Sequence, residues 1–256
     1  MKFKNRMLNK EVLHGMIVTL GQSGVAEALS ACGFDWLWID MEHAPLSLMN
    51  VQHMIQAKSP ECAALVRIPA NTEEWIKQVL DLGAEGIIVP HVNTKAQAQR
   101  AVDASYYPPV GTRSLGLTRA SLYGIDVDYK REANAKRLLF VQIEHKEGVE
   151  NIEEIVQMPG LDGVLIGPYD LSGSYGKLGF IEDPEILEAI AIVLDACKRF
   201  QKPAGIFAKQ ANDASRYLKQ GFQLIATGID MHYLWHAAKQ TLDSVRSESP
   251  ALCLQQ

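Results

Sequence analysis

Residues Leu138 to Ser172 constrain the fold more than any other stretch of the chain. Leu138-Leu-Phe-Val-Gln-Ile-Glu144 is a run of apolar and β-favouring residues that ends on a carboxylate. Asp162-Gly-Val-Leu-Ile-Gly-Pro-Tyr-Asp-Leu-Ser172 is a second short apolar run, which passes through a Gly-Pro turn to another carboxylate. Between them, Val149, Ile152, Ile155 and Val156 fall at helical spacing within Glu147–Met158. Strand, helix, strand in that order is a βαβ unit, whose two strands run parallel and side by side. Glu144 and Asp170 therefore leave the sheet at one edge, separated by about one strand spacing, ~5 Å, plus a short loop. Two carboxylates that close repel unless a cation, a shared proton or hydrogen-bond donors intervene, and a divalent metal is the first expectation.

The same rhythm extends along the chain. Strand signals recur at Gly15–Leu20, Phe34–Asp40, Ala63–Arg67, Gly86–Pro90, Ala204–Phe207 and Leu224–Gly228. Helical spacing lies between them, at Val25–Cys32, Ser47–Lys58, Thr72–Leu82 (opened by a capping box), Thr94–Ala104, Glu185–Arg199, Ala211–Gln220 and Met231–Arg246. With the opening unit this makes eight strands alternating with helices, and predicts an α/β single (β/α)8 TIM barrel over residues 1–256. A doubly wound open sheet normally has fewer strands and often a Gly-rich phosphate turn after its first strand, which is absent here. Ser105–Lys136 breaks the rhythm and reads as a long connection over the barrel mouth, and the tail from Ser247 is expected to fray.

Composition matters for what it excludes. A net charge of −5 with no basic cluster argues against nucleic acid as a partner. No apolar run approaches the ~18–20 residues that span a bilayer, and no signal peptide is visible, so neither a membrane nor secretion is expected. Cys32, Cys62, Cys197 and Cys253 have no paired spacing and read as reduced thiols of a cytoplasmic protein.

In such a barrel, polar residues at the C-terminal ends of the strands share one mouth. Here they are Asp40, Glu42 and His43 after the second strand, Arg67 after the third, His91 after the fourth, Gln142 and Glu144 on the fifth, and Asp170 after the sixth. Singly, a strand-end carboxylate is more often a cap and Arg67 more often a salt bridge; their convergence on one rim favours function. Trp36 and Trp38 alternate on one strand face and read as core. His232 and His236, four apart on a helix, read as a solvated or interface face, and Gly173–Gly179 as a mobile flap beside Asp170. Lys77, Lys95, Lys146 and Lys209 lie on predicted helices or in loops, which disfavours a Schiff-base lysine.

These residues also carry a resemblance. Phe34-Asp-Trp-Leu-Trp-Ile-Asp-Met-Glu-His-Ala-Pro45, Val66-Arg67, Ile88-Val-Pro90, Tyr107-Pro-Pro-Val-Gly-Thr-Arg113, Val141-Gln-Ile-Glu144 and Ile166-Gly-Pro-Tyr-Asp-Leu-Ser172 together resemble the class II 2-oxo-3-deoxy acid (pyruvate) aldolases, from about Gly15 to Ala238. That group includes the 2-dehydro-3-deoxyglucarate and 4-hydroxy-2-oxoheptanedioate aldolases. The resemblance implies a metal-dependent lyase on a barrel of the phosphoenolpyruvate/pyruvate superfamily, reversibly cleaving a 4-hydroxy-2-oxo acid to pyruvate and an aldehyde. It implies Glu144 and Asp170 as metal ligands and His43 as catalytic base, oriented by Asp40. Arg67 would contact the pyruvate oxygens, with Gln142, Tyr169 and Asp170 also at the substrate. It further implies a homo-oligomer, commonly a hexamer with swapped C-terminal helices. Ile17, Ser114 and Tyr169 depart from residues common in that group and leave the aldehyde open.

The chemistry asks for these residue types independently. Cleavage releases a carbanion at pyruvate C3, and a divalent cation such as Mg²⁺, Mn²⁺ or Co²⁺ takes up the enolate charge. A fixed guanidinium adds to that, worth ~3–4 kcal/mol by analogy with one oxyanion donor. Histidine suits the C4 hydroxyl proton near neutral pH. Two other readings are a citrate-lyase-like or malyl-thioester lyase acting on a CoA ester, and a non-catalytic barrel that binds an oxo acid.

Overall fold

A computed structural model describes residues 2–248. Eight parallel strands close in sequence order, β1 (Leu13–Val18), β2 (Trp36–Asp40), β3 (Ala63–Arg67), β4 (Gly86–Val89), β5 (Leu138–Ile143), β6 (Gly163–Ile166), β7 (Ala204–Ala208) and β8 (Leu224–Ile229), with β8 pairing back onto β1. Twelve helices accompany them among the described residues. α1 (Lys2–Leu8) precedes the barrel. α2 (Ser23–Ala31), α3 (Leu48–Ala57), α4 (Glu73–Asp81), α5 (Lys95–Ser105) and α6 (Tyr129–Lys136) follow. After β5 come α7 (Lys146–Glu150), α8 (Ile152–Val156), α9 (Pro168–Ser174), α10 (Pro184–Arg199), α11 (Ala211–Gln220) and α12 (Asp230–Glu248). The expectation of a frayed tail otherwise falls on residues 249–256, outside those described.

Side chains alternate across a strand, and that period divides the core in two. One set points outward: Leu37 and Ile39, Ala64 and Val66, Leu139 and Val141, and Val164 and Ile166 pack under the helices. The other set, with Trp36, Trp38, Leu65, Ile88, Phe140 and Leu165, fills the barrel. The interior is packed by setting large side chains against residues without one. A Cβ on Gly15 would lie 2.3 Å from the Trp36 ring, and one on Gly163 would lie 2.7 Å from Phe140. Trp36 and Trp38 stack with centroids 6.1 Å apart, as the core reading expects.

Three expectations need correcting. The Ser105–Lys136 connection does not cross the mouth. It joins the end of α5 to the start of β5, and both lie at the N-terminal end of the barrel. Arg119 accordingly donates to the Leu82 carbonyl before β4, and Arg137 donates to the Ser105 carbonyl. The helix expected over Glu147–Met158 is broken at Asn151, whose side chain is drawn away to the Asn93 carbonyl at 2.9 Å. The Gly-Pro turn after β6 winds into α9, with Pro168 at its first position, where the missing N–H costs nothing.

Candidate active site

The inward-facing register is what assembles the site. Asp40 continues the line of Trp36 and Trp38, Arg67 that of Ala63 and Leu65, Gln142 and Glu144 that of Leu138 and Phe140, and Gly167 that of Gly163 and Leu165. Each strand is apolar within the barrel and turns polar only where it meets the mouth. Asp40 and Arg67 are register partners across β2 and β3, so their side chains meet directly. Gly167 makes room at the exit of β6, where a Cβ would lie 2.6 Å from Gln142 Nε2 and 2.7 Å from Glu144 Oε2.

Arg67 is the hub. Its Nε and Nη2 donate to the two oxygens of Asp40 at 2.9 and 2.7 Å, a bidentate pair buried on both sides. Its Nη1 lies 2.9 Å from Glu42 Oε2 and donates to Gln142 Oε1 at 3.4 Å. The guanidinium carbon sits 5.2 Å from the centroid of the Trp38 ring. Burial opposes the Arg67 charge, but Asp40, Glu42 and Glu144 together outweigh it and hold the group above its ordinary value. Gln142 also donates a short hydrogen bond to Glu144 Oε2, while the His91 N–H donates to Glu144 Oε1 at 2.8 Å.

Three carboxylates thus face one guanidinium. Burial pushes Glu144 up to about 7, aided by Glu42 and opposed by His91 and Arg67. Glu42 is also raised, again chiefly by burial. Glu42 Oε2 is within ion-pair distance of Arg67 yet is aligned with no hydrogen-bond donor. A ligand atom from each of Glu42, His91 and Glu144 lies within 4.8 Å of the others. A site with excess negative charge, two carboxylates and an imidazole fits a divalent cation on its own chemistry.

The other expected residues are distributed around this hub. A cavity of about 240 Å³ is bounded by Asp40, His43, Arg67, Gln142, Tyr169 and Asp170, with Ile17, Thr19, Trp38, Phe207 and Ile229 completing the wall. His43 lies on the loop after β2 with its side chain 61% exposed and Nε2 3.7 Å from Glu42 Oε2. Asp40 accepts from the backbone N–H groups of Glu42 and His43, at 3.1 and 3.4 Å, and its carboxylate is otherwise committed to Arg67. Asp40 therefore sets the loop that carries His43, and no hydrogen bond joins it to the ring. Asp170 is exposed in the first turn of α9, on the cavity but outside the close group of Glu42, His91 and Glu144. Tyr169 packs its ring 6.1 Å from that of Phe207.

Glu42 and His91 were visible in the sequence as rim residues without a role, and the structure brings both against Glu144. His91 also holds a left-handed backbone at φ 52°, an uncommon conformation for a non-glycine residue and one found at functional sites. Asp230 gave no signal in the sequence. Buried where α12 begins, it accepts from Thr19 N and Oγ1 and from Leu20 N, and so fixes the loop after β1 that carries the cavity residue Thr19.

Comparison with known proteins points the same way. The sequence model of the HpcH/HpaI aldolase/citrate lyase family matches residues 14–237. A hydroxypyruvate/pyruvate aldolase of Chromohalobacter salexigens is 40% identical over 238 residues, covering 92% of this chain and 94% of that protein. A 5-keto-4-deoxy-D-glucarate aldolase of Escherichia coli is 34% identical over 247 residues, 96% of each chain. Among solved structures, an HpcH/HpaI aldolase/citrate lyase family protein of Burkholderia cenocepacia superposes with a TM-score of 0.93 at 37% identity, covering 96% of this chain and 99% of that one.

Proposed function

The chain belongs to the HpcH/HpaI aldolase/citrate lyase family, a carbon–carbon lyase by that membership, and from it we propose reversible cleavage of a 4-hydroxy-2-oxo acid to pyruvate and an aldehyde. The observation that carries this reading is the pairing of a buried guanidinium with an excess of carboxylates at one end of a small cavity. The guanidinium, together with the cation that the surplus carboxylates would hold, suits a substrate that is itself anionic and passes through a more negative enolate. The names of the two similar aldolases support the pyruvate-type donor and leave the aldehyde open.

Arg67 has a fixed orientation, because Asp40 holds two of its nitrogens; Nη1, which in this structure faces Glu42 and Gln142, is the edge that would turn to the oxo-acid oxygens. Gln142, tied to both Arg67 and Glu144, holds these two charges in register. His43, on the exposed side of the cavity, would take the C4 hydroxyl proton during cleavage and return it during synthesis. Tyr169 would bound the substrate on the side of Phe207. Glu144 and Asp170 are the proposed metal ligands; Glu42 and His91, which lie against Glu144 where Asp170 does not, are the alternative donors. Bound there, a Mg²⁺, Mn²⁺ or Co²⁺ ion would supply Lewis-acid stabilisation of enolate charge.

The test is to incubate protein, pyruvate and an aldehyde panel with each cation or with EDTA, and to identify products by mass. Turnover should need the cation, and full activity in excess chelator would overturn the metal reading. Metal content of Asp170→Asn and His91→Ala then separates the two donor sets, since only a true ligand should lower the retained metal.

Two coarser readings accompany this one. No described helix is long and apolar enough to cross a membrane, and Cys32, Cys62 and Cys197 are free thiols, which supports a cytoplasmic setting. α12 exposes Met231, Tyr233, Leu234, Trp235, Leu242 and Val245 and meets its own barrel chiefly at β1 and β8, which supports a homohexamer with that helix packed on another copy.

A further inference from the structure

A cavity of about 530 Å³ lies at the other end of the barrel. It opens between the C-terminal ends of α1, α10 and α11 and the first residues of β7 and β8, roughly a strand length, ~17–20 Å, from the active-site mouth. Lys10, Lys198 and Lys202 line it, and no Asp or Glu does, on a chain whose net charge is −5. Leu8 and Leu218 make its accessible apolar wall, backed by the buried Met7, Leu194 and Phe222.

Helix capping explains only part of this arrangement. Lys198 donates to the Gln220 carbonyl at 2.9 Å and so caps the end of α11. Lys202 is different. It is half-buried, donates to the Leu161 carbonyl, and has no carboxylate partner within ion-pair distance among the described residues. The nearby Asp162 is instead paired with Lys4 at 3.1 Å. Burial holds the Lys202 ammonium below its ordinary value, as expected of a cation short of a counter-charge. Lys10 has neither an ion pair nor a side-chain hydrogen bond among the described residues.

The backbone adds an independent observation. Three helices end around this cavity, and each end turns through a left-handed residue. After α11 that residue is Gly221, the choice that carries no Cβ strain. After α1 and α10 it is Lys10 (φ 61°) and Gln201 (φ 53°). Of the five non-glycine residues with positive φ among the described residues, these two line one cavity and His91 stands at the active site. Lys10 and Gln201 turn the chain where a glycine would carry no strain, and both stand on the cavity lining.

We propose that this cavity binds a small organic anion, its carboxylate or phosphate-monoester head held by Lys10 and Lys202 with Lys198 at the edge, and its aliphatic body of about six carbons laid on the exposed Leu8 and Leu218. Gln201 offers the head a neutral amide donor. The position, away from the reacting groups, makes the site separate from the substrate cavity.

The test titrates hexanoate, hexyl phosphate and hexanol into the full chain, followed by calorimetry and by saturation-transfer NMR on the ligand methylenes. At least one anion should bind, more weakly as salt is raised, and hexanol should not; comparing the two anions identifies the head group. Lys10→Met removes a side chain without fold contacts and should weaken binding several-fold. Lys10→Met/Lys202→Met should weaken it at least tenfold, with the aldol rate on pyruvate unchanged. No binding of either anion at about 10 mM, hexanol binding as tightly as hexanoate, or unchanged affinity in both variants would each overturn the proposal.

Discussion

A single methyl group at Gly167 would have more leverage on the candidate site than most larger changes elsewhere. The backbone there is unstrained, so the argument is about space alone: a Cβ would sit 2.6 Å from Gln142 Nε2 and 2.7 Å from Glu144 Oε2. Gly167→Ala should therefore leave the circular dichroism spectrum intact, push Glu144 off its position, and lower both retained divalent metal and kcat, the latter by ~10². A variant with wild-type metal content and rate would show that Glu144 need not lie against β6. Arg67 and His43 should separate by reaction step. Arg67 faces the enolate, so Arg67→Lys, which keeps a charge in the buried pair with Asp40, should slow both aldol cleavage and exchange of pyruvate C3 protons with solvent, by up to ~10². His43→Ala should slow cleavage by ~10²–10⁴ and spare exchange. Deuterium incorporation into pyruvate by NMR, beside cleavage rates, decides this; equal loss of both in His43→Ala would make the histidine the base for enolisation too.

The barrel's elements were legible in the sequence where burial dictated them. β5 and β6 lie at Leu138–Ile143 and Gly163–Ile166, within the runs that opened the argument, because a strand buried on both faces is an uninterrupted apolar run. α1 was not legible, since seven residues with three basic and no acidic side chains, anchored by Phe3 and Met7, carry too little periodicity. The position of Asp170 was legible only to the nearest turn: strand-end logic placed it on the rim, and the helix begun by Pro168 moved it outward. Nor could spacing give Asp40 to Arg67 and Glu42 to His91, because those pairings depend on how strands tilt and loops turn. α12 was legible as a helix, while its apolar face has meaning only once the barrel is seen to leave it uncovered. Trp235 is 57% exposed and Leu234 58%. Light scattering should find several copies of the 28.3 kDa chain, and Leu234→Glu/Trp235→Glu should shift it towards one. A wild-type protein that stays monomeric at micromolar concentration would remove the helix-exchange reading.

At the scale of the whole molecule, the same close packing that fixes the site makes the fold sensitive to alkali. Cys62 and Cys197 are 2% and 0% exposed, and burial pushes each thiol from 9.0 up to about 12. Burial also raises Tyr106, with Asp162 beside it, and Tyr129, hydrogen-bonded to Tyr107. In every case the folded value lies above the unfolded one, so the stabilising contribution is complete below the unfolded value and is lost as pH rises towards the folded value. The window for the thiols is therefore pH 9 to about 12, with the unfolded chain ionising first and being favoured by it. One and a half pH units into that window, near pH 10.5, each thiol has withdrawn about 2 kcal/mol, and the pair about 4, a large part of the ~5–15 kcal/mol that holds a domain together. Urea midpoints at pH 8 and pH 10.5 measure the loss. Cys62→Ala/Cys197→Ala starts less stable at pH 8, because each change leaves a small cavity, but should lose about 4 kcal/mol less than wild type between the two pH values. Equal losses would assign alkaline sensitivity to the tyrosines, and then Tyr106→Phe, which keeps the ring in place and removes the ionising group, should flatten the profile instead.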